Sequence, residues 1–433
     1  MRRLAWGIVL VLVLLPSIAV GTVNDPYFQL QWGLVRIGGP TSWTVTKGAG
    51  QVVAVVDTGV DITHPDLQGQ LVPGYDFVDN DSKPLDQNGH GTLVAGIIAA
   101  VTGNSVGVAS VAPRAKIMPV RVLGPDGSGS STAVSEGIAW AVQHGATVVN
   151  LSLAQEGGAD SGPLLRSPAV DSAIKAAAAA GAVVVVAAGN TSTGGTNQTA
   201  YDATVPGVIV VGASARDNRP AAYSNHGAGL DLLAPGGGSS SDPTANGCTQ
   251  DQSIVSTWWN PATKRASYGG GCGSSMSVAF VSGVAALLGA RGYDNAAAVS
   301  RIEQTADDIG SKGRDDLTGY GILNGARALG ARAAAPRRVP SPRTSVPHPA
   351  SSRVTVAGSA TPVPSTRAPS PGSKPKLKVP TVNAIGPLDI RGSSRSAPVA
   401  AGAALICLLI VGHGLRAIAG PGDLSRRARG RAG

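Results

Sequence analysis

The stretch Gln51-Val52-Val53-Ala54-Val55-Val56-Asp57-Thr58-Gly59-Val60 decides the fold class. Four valines and an alanine follow Gln51 without a polar break, and the run ends on an acid and a glycine. A strand with one wet face would alternate polar and apolar residues; this one reads as buried on both faces. Three runs of the same kind follow: Ala146-Thr-Val-Val-Asn-Leu151, residues 182–188 and Val208-Ile-Val-Val211. Helix-like stretches lie at 132–144, 167–180 and 275–290. Strand and helix in alternation predict an α/β domain over residues 24–330, a doubly wound, mostly parallel sheet with helices on both faces.

At 433 residues the chain is long enough for one large core with residues to spare. Hydrophobic residues make up 43% and aromatics only 4%, so the core is built from Ala, Val, Leu and Ile. That balance excludes a fully disordered chain and a polytopic membrane protein. The net charge of +9 misleads until it is placed along the chain. From position 331 onward there are 16 Lys/Arg and 2 Asp/Glu, which leaves residues 1–330 with a net charge of −5. A mildly acidic body with a basic tail gives no footprint for nucleic acid. Of three cysteines none stands in a C-x-x-C pair, so nothing points to zinc or dithiol redox chemistry.

The ends differ from the body. Met1-Arg2-Arg3, the apolar run 4–15 and the small residues near Ser17 and Ala19 read as a secretory signal peptide over 1–21, with an uncleaved anchor as the alternative. The folded domain takes 22–332. Residues 333–397 are dominated by Pro, Ser, Thr and Arg, lack apolar periodicity and read as a disordered linker. Residues 398–418 are a transmembrane helix of marginal length, interrupted by His413 and closed by Arg416; a soluble C-terminal helix is the alternative. The tail 419–433, with Arg426, Arg427, Arg429 and Arg431, stays in the cytoplasm by the positive-inside rule and leaves the bulk of the chain outside the cell membrane. Export would carry Cys248 and Cys272 into an oxidising compartment, where a disulfide between them is expected.

Three short motifs carry chemistry. In the first, Asp57 closes a buried strand, the position where functional groups of open α/β sheets collect. In the second, Asn88-Gly89-His90-Gly91-Thr92, a histidine heads the apolar segment 93–100. In the third, Gly273-Ser274-Ser275-Met276 opens a long small-residue helix, whose N-terminus favours negative charge. An acid, a histidine and a serine are the parts of an acyl-transfer triad. Each motif alone is weak, since an Asp at a strand end serves as a cap and a His between glycines as a turn. Together, in this order, they are specific.

With these residues the chain resembles the subtilisin-like serine protease family, and within it the thermitase branch, over about residues 24–329. Asn24-Asp-Pro-Tyr-Phe28, His64-Pro-Asp-Leu67, Tyr75-Asp-Phe-Val-Asp-Asn-Asp-Ser82, Val111-Ala-Pro113, Asn150-Leu-Ser-Leu153 and Ala187-Ala-Gly-Asn190 add to the match. The resemblance implies a serine endopeptidase with Asp57, His90 and Ser275 as triad. Asn190 and the Ser275 N–H would form the oxyanion hole. Gly127-Ser128-Gly129 and Leu151-Ser152-Leu153 would flank an extended polypeptide substrate, which adds to them as a strand. Ala187, Ala188 and Gly189 would wall the main specificity pocket.

No cofactor is implied for the chemistry, but structural calcium is, at two sites. One would use Asp76, Asp79 and Asp81, whose like charges repel unless solvated or bridged. The other would use Asp25, Asp66, Asn104 and the carbonyls of Val106 and Val108. Lys83 stands where the related pattern has Thr, which weakens the first site. Ser274 replaces the usual Thr, so two serines are adjacent and only the alignment on Met276 selects Ser275. Ser277-Val278-Ala279-Phe280 and Leu93 also depart from the family pattern. The signal peptide, Pro-rich linker and terminal anchor together are similar to mycosins, membrane-bound members that work within a secretion complex. Two functions therefore stand beside a lone anchored protease: a component of a secretion complex with membrane-protein partners, and a catalytically inactive binding module. The intact triad and Asn190 speak against the last.

Overall fold

A computed structural model describes residues 23–155, 167–192, 205–242, 248–331 and 376–378. The segments read from sequence as a signal peptide (1–21), a linker (most of 333–397), a membrane span (398–418) and a tail (419–433) lie outside the described residues. Among the described residues no helix is long and apolar enough to cross a membrane.

The run 51–56 forms β1 (Val52–Asp57), the third strand of a seven-stranded sheet. The other members are β2 (Tyr75–Asp76), β3 (Lys116–Arg121), β5 (Val148–Leu151), β7 (Val183–Ala187), β8 (Val208–Ser214) and β9 (Leu232–Pro235). Their order is β2-β3-β1-β5-β7-β8-β9, and every pairing is parallel. Alternation along β1 explains the absence of a polar face. Val53 and Val55 enter one hydrophobic core and Ala54 and Val56 the opposite one, all fully buried. The predicted strands and helices are recovered to within two residues at all but one end: β8 runs on to Ser214.

Helices cover both faces. Behind one lie α3 (His90–Ala99), α6 (Ser274–Gly289) and α7 (Asn295–Gln304), which bring Ile98, Leu287 and Ile302 to the first core. Behind the other lie α4 (Ser131–Gln143) and α5 (Pro168–Ala179), which bring Ile138 and Ile174 to the second. Short helices α1 (Trp32–Arg36), α2 (Gly39–Ser42) and α8 (Gly325–Ala328) close the edge of the first core. From Ser274 to Leu288 every residue of α6 is buried, in keeping with its predominantly small and apolar composition.

Several strands escape the sequence reading, most of them because their residues do not look like buried β. Lys116-Ile-Met-Pro-Val-Arg121 carries Lys, Pro and Arg, yet it is an interior strand, β3, between β2 and β1. The antiparallel hairpin β10 (Ile254–Asn260) and β11 (Arg265–Gly271) is tied to α3, with Ser256 Oγ donating to the Leu93 carbonyl and Thr257 Oγ1 to that of Thr92. A third, small sheet has the order β4-β12-β6, formed by β4 (Ser128–Ser130), β6 (Ala154–Gln155) and β12 (Lys376–Lys378). Here the linker reading is corrected: three of its residues form a strand against the folded body, because β4 and β6 offer unpaired backbone to an extended chain.

Strand order changes direction at β1, whose neighbours are β3 on one side and β5 on the other. Crevices at such switch points, at the carboxyl ends of the strands, are where open α/β sheets hold their sites. Asp57 is that end of β1.

Candidate active site

Asp57 Oδ1 lies 2.7 Å from His90 Nδ1, and both side chains are fully buried. The same oxygen accepts the Thr58 N–H at 2.7 Å. An acceptor at Nδ1 sets the tautomer, so the proton sits there and the lone pair sits on Nε2. Nε2 is buried without a hydrogen-bond partner. The glycines of both motifs serve this approach. Gly59 has φ +97°, and a Cβ on Gly91 would run into the Gly59 carbonyl.

Asp86 is a functional residue that sequence reasoning missed. Its carboxylate is 4% exposed and collects five hydrogen bonds around the start of α3. Oδ1 accepts from Thr58 Oγ1, Asn88 N and Gly89 N, and Oδ2 from Thr92 N and Thr92 Oγ1. It thereby joins the Asp57 strand end to the helix that carries His90. Burial pushes its carboxyl pKa up against the pull of those bonds. The available signal was an acid four residues before His90, at the entry to an apolar helix.

The adjacent serines have different partners. Ser274 Oγ accepts the Gly189 N–H at 3.3 Å, so that hydroxyl ties α6 to the Ala187-Ala188-Gly189 segment. Ser275 Oγ donates to the Ser152 carbonyl at 3.3 Å. Ser152 Oγ donates to the Ser275 carbonyl at 3.0 Å and accepts from Asn150 Nδ2, while Ser282 Oγ donates to Asn150 Oδ1. This buried polar chain locks the first turn of α6 to the end of β5. Asn190 Oδ1 accepts the Ser274 N–H at 2.9 Å, which leaves its Nδ2 hydrogens for another acceptor. Gly273 stands beside it at φ +156°, where a Cβ would come within 3.0 Å of Asn190 Nδ2.

The two edges named for a substrate are both present, with one shift. Ser128 and Gly129 lie in β4, while Gly127, at φ +75°, forms the turn before it. On the opposite edge the residues that pair with an added strand are Ala154 and Gln155, one step beyond Leu151-Ser152-Leu153. Leu151 still belongs to the central sheet, which sets where the edge becomes free.

The first calcium site is corrected. Arg121, 2% exposed, sends Nη1 to Asp76 Oδ2 at 2.6 Å and to Asp79 Oδ2 at 2.5 Å. Asp76 Oδ1 is taken by the N–H groups of Val78 and Asp79, and Asp81 Oδ1 by the Lys83 N–H. An internal guanidinium already answers the repulsion that suggested a metal, so these residues do not fit one. Sequence reading missed Arg121 because it closes a strand 45 residues from Asp76.

The second set is brought together. Asp25 accepts from Gly103 N and Asn104 N, and Asp66 accepts from Asn104 Nδ2 and Val108 N, each Asp66 bond at 2.8 Å. Val106 donates its N–H to Asn104 Oδ1. Burial raises the pKa of Asp25 and lifts that of Asp66 to about 6, the nearby charge of Asp25 adding to the latter. Tyr268 Oη is buried beside them with no hydrogen-bond partner, its pKa raised by burial and by the charge of Asp66. Two uncompensated carboxylates and an orphaned hydroxyl fit a hard cation. Among the described residues no group of three or more His, Cys, Asp or Glu is arranged to hold a metal, so carbonyls would have to complete the shell. Cys248 and Cys272 are joined as a disulfide, with Cα atoms 5.8 Å apart, three residues before Ser275.

A buried Asp–His pair at the sheet switch point and a serine in the first turn of a buried helix are the residue types that a serine hydrolase site needs, although no hydrogen bond joins His90 Nε2 to Ser275 in this structure. The chain belongs to the subtilase family, whose model matches residues 48–321, and it is a serine endopeptidase. It is 39% identical over 293 residues to thermitase of Thermoactinomyces vulgaris, a match spanning 67% of this chain and 94% of that protein. It is 40% identical over 313 residues to a thermophilic serine proteinase of Bacillus sp. (strain AK1), spanning 72% and 70% of the two chains. Among solved structures it is similar to a protease from Pseudoalteromonas arctica, with a TM-score of 0.61 and 32% identity over 72% of this chain and 99% of that one.

Proposed function

We propose that this chain is a membrane-anchored, extracytoplasmic serine endopeptidase in which Ser275 is the nucleophile, His90 the general base and Asp57 its orienting acid. The observation that carries the reading is the 2.7 Å Asp57–His90 bond, which leaves a buried, unpartnered Nε2. His90 Nε2 takes the proton as Ser275 Oγ bonds to the substrate carbonyl carbon. The oxyanion that develops accepts hydrogen bonds from Asn190 Nδ2 and from the Ser275 N–H at the helix N-terminus. His90 then gives its proton to the departing amine, and water repeats the sequence on the acyl-enzyme. The strand edges at Ser128–Ser130 and Ala154–Gln155, which accept an extended strand between them, support binding of an extended polypeptide.

Labelling with a fluorophosphonate followed by peptide mapping tests the assignment. The label is expected on Ser275 and lost in Ser275→Ala; a label on Ser274 overturns it.

The apolar run 398–418 and the arginines that follow it support the anchor. Carbonate extraction should leave the full-length protein in the membrane pellet and release a chain ending at residue 397. Full-length protein in the wash overturns the anchor. A calcium ion held by Asp25, Asp66 and neighbouring carbonyls would stabilise the fold and take no part in the chemistry.

A further inference from the structure

The small sheet holds a segment of the chain's own tail where a substrate belongs. β4 and β6 do not pair with each other; β12, Lys376–Lys378, lies between them and is antiparallel to both. Each edge alone leaves backbone N–H and C=O groups unpaired, and an extended strand satisfies both edges at once.

The register gives that strand a direction. Lys376 faces Ser130, Leu377 faces Gly129 and Lys378 faces Ser128 on one side. On the other, Leu377 faces Gln155 and Lys378 faces Ala154. From Lys376 to Lys378 the strand therefore advances toward Ser152, whose carbonyl accepts the Ser275 hydroxyl. An acyl donor needs this polarity, since the residues that precede the attacked carbonyl bind as the strand and the carbonyl itself comes to the nucleophile.

We propose that Lys376–Lys378 is an autoinhibitory strand, a built-in occupant of the substrate cleft that a polypeptide substrate must displace. The proposal rests on β4 and β6 being the substrate edges of the protease described above. Charge favours the tail as occupant, because Lys374, Lys376 and Lys378 belong to the basic part of the chain and residues 1–330 carry a net −5.

Sequence also favours an inhibitor over a substrate. Pro380 stands two residues after Lys378, the same count that separates Ser152 from Ala154. A proline at that count would bring no N–H to the Ser152 carbonyl and would be a poor acyl donor.

Tethering makes a weak strand sufficient. Residues 332–375 connect the body to β12, and a random coil of that many residues would span roughly 35–40 Å. A tether of that kind gives an effective concentration on the order of 1 mM. A strand whose free peptide would bind at about 0.1 mM then fills the cleft roughly nine-tenths of the time and raises the apparent KM about tenfold.

The test uses full-length protein in detergent, active sites titrated with a fluorophosphonate, and a short chromogenic peptide as substrate. Leu377→Pro removes the central N–H of β12 at a position outside the family-matched residues 48–321. Its apparent KM should fall about tenfold, with kcat per titrated site unchanged. A synthetic peptide of residues 373–382 should restore the higher KM in trans and be recovered uncut. Equal KM values at equal titre overturn the autoinhibitory strand and leave the protease reading intact. Cleavage of the peptide as fast as the chromogenic substrate makes the segment a substrate and also overturns it. Failure of both proteins to label at Ser275 overturns the protease reading, and this proposal with it.

Discussion

Arg121 Nη1 lies 2.6 Å from Asp76 Oδ2, the arginine 2% exposed and the aspartate 1%. This buried pair braces the loop beside the site, because Arg121 is also the register partner of Asp57 across β3 and β1. The loop's acidity is thus a structural arrangement completed within the chain.

Arg121→Met should lower stability by about 3–5 kcal/mol, since it strands the Asp76 carboxylate without its cation. A urea melt of the variant in a Ser275→Ala background, where autolysis is absent, measures this. An unchanged midpoint would refute the brace.

Asp86→Asn should cost about 2–4 kcal/mol and lower kcat together. Whichever way the amide sits, at least two of five donors lose their acceptor. Stability and steady-state rates at low temperature read the two effects separately, and wild-type values in both would remove Asp86 from the positioning role.

Ser274→Ala should keep the rate within about tenfold, as it deletes one 3.3 Å bond to Gly189. Asn190→Ala should reduce kcat by roughly 10²–10³-fold with little change in KM, the effect of removing a donor that meets charge only in the transition state. A KM effect alone would make Asn190 a binding residue.

Calcium should raise the thermal midpoint of the Ser275→Ala protein, by about 2.7 kcal/mol of stability at a hundredfold excess over Kd. Asp66→Asn should abolish most of that increment. Asp81→Ala should leave it intact, because its loop is closed by Arg121. Identical melts in calcium and in chelator would remove the second site as well.

The sequence by itself determined the layered α/β architecture and brought forward Asp57, His90, Asn190 and the Ser274–Ser275 pair as candidates. Burial on both faces of a strand is written into consecutive residues, and so is a glycine that lets two motifs touch. Contiguous signals of this kind survive without a partner. Tertiary structure decided what depends on meeting across the chain. Ser274 and Ser275 are neighbours in sequence, and only the fold gives them different partners, the Gly189 N–H for one and the Ser152 carbonyl for the other. Arg121 reads as a charge that interrupts a strand until the fold sets it against Asp76 and Asp79. The tail strand is the extreme case. Lys376-Leu377-Lys378 has no apolar pattern of its own, and it is a strand only because β4 and β6 leave a gap one strand wide, where backbone hydrogen bonds accept almost any sequence.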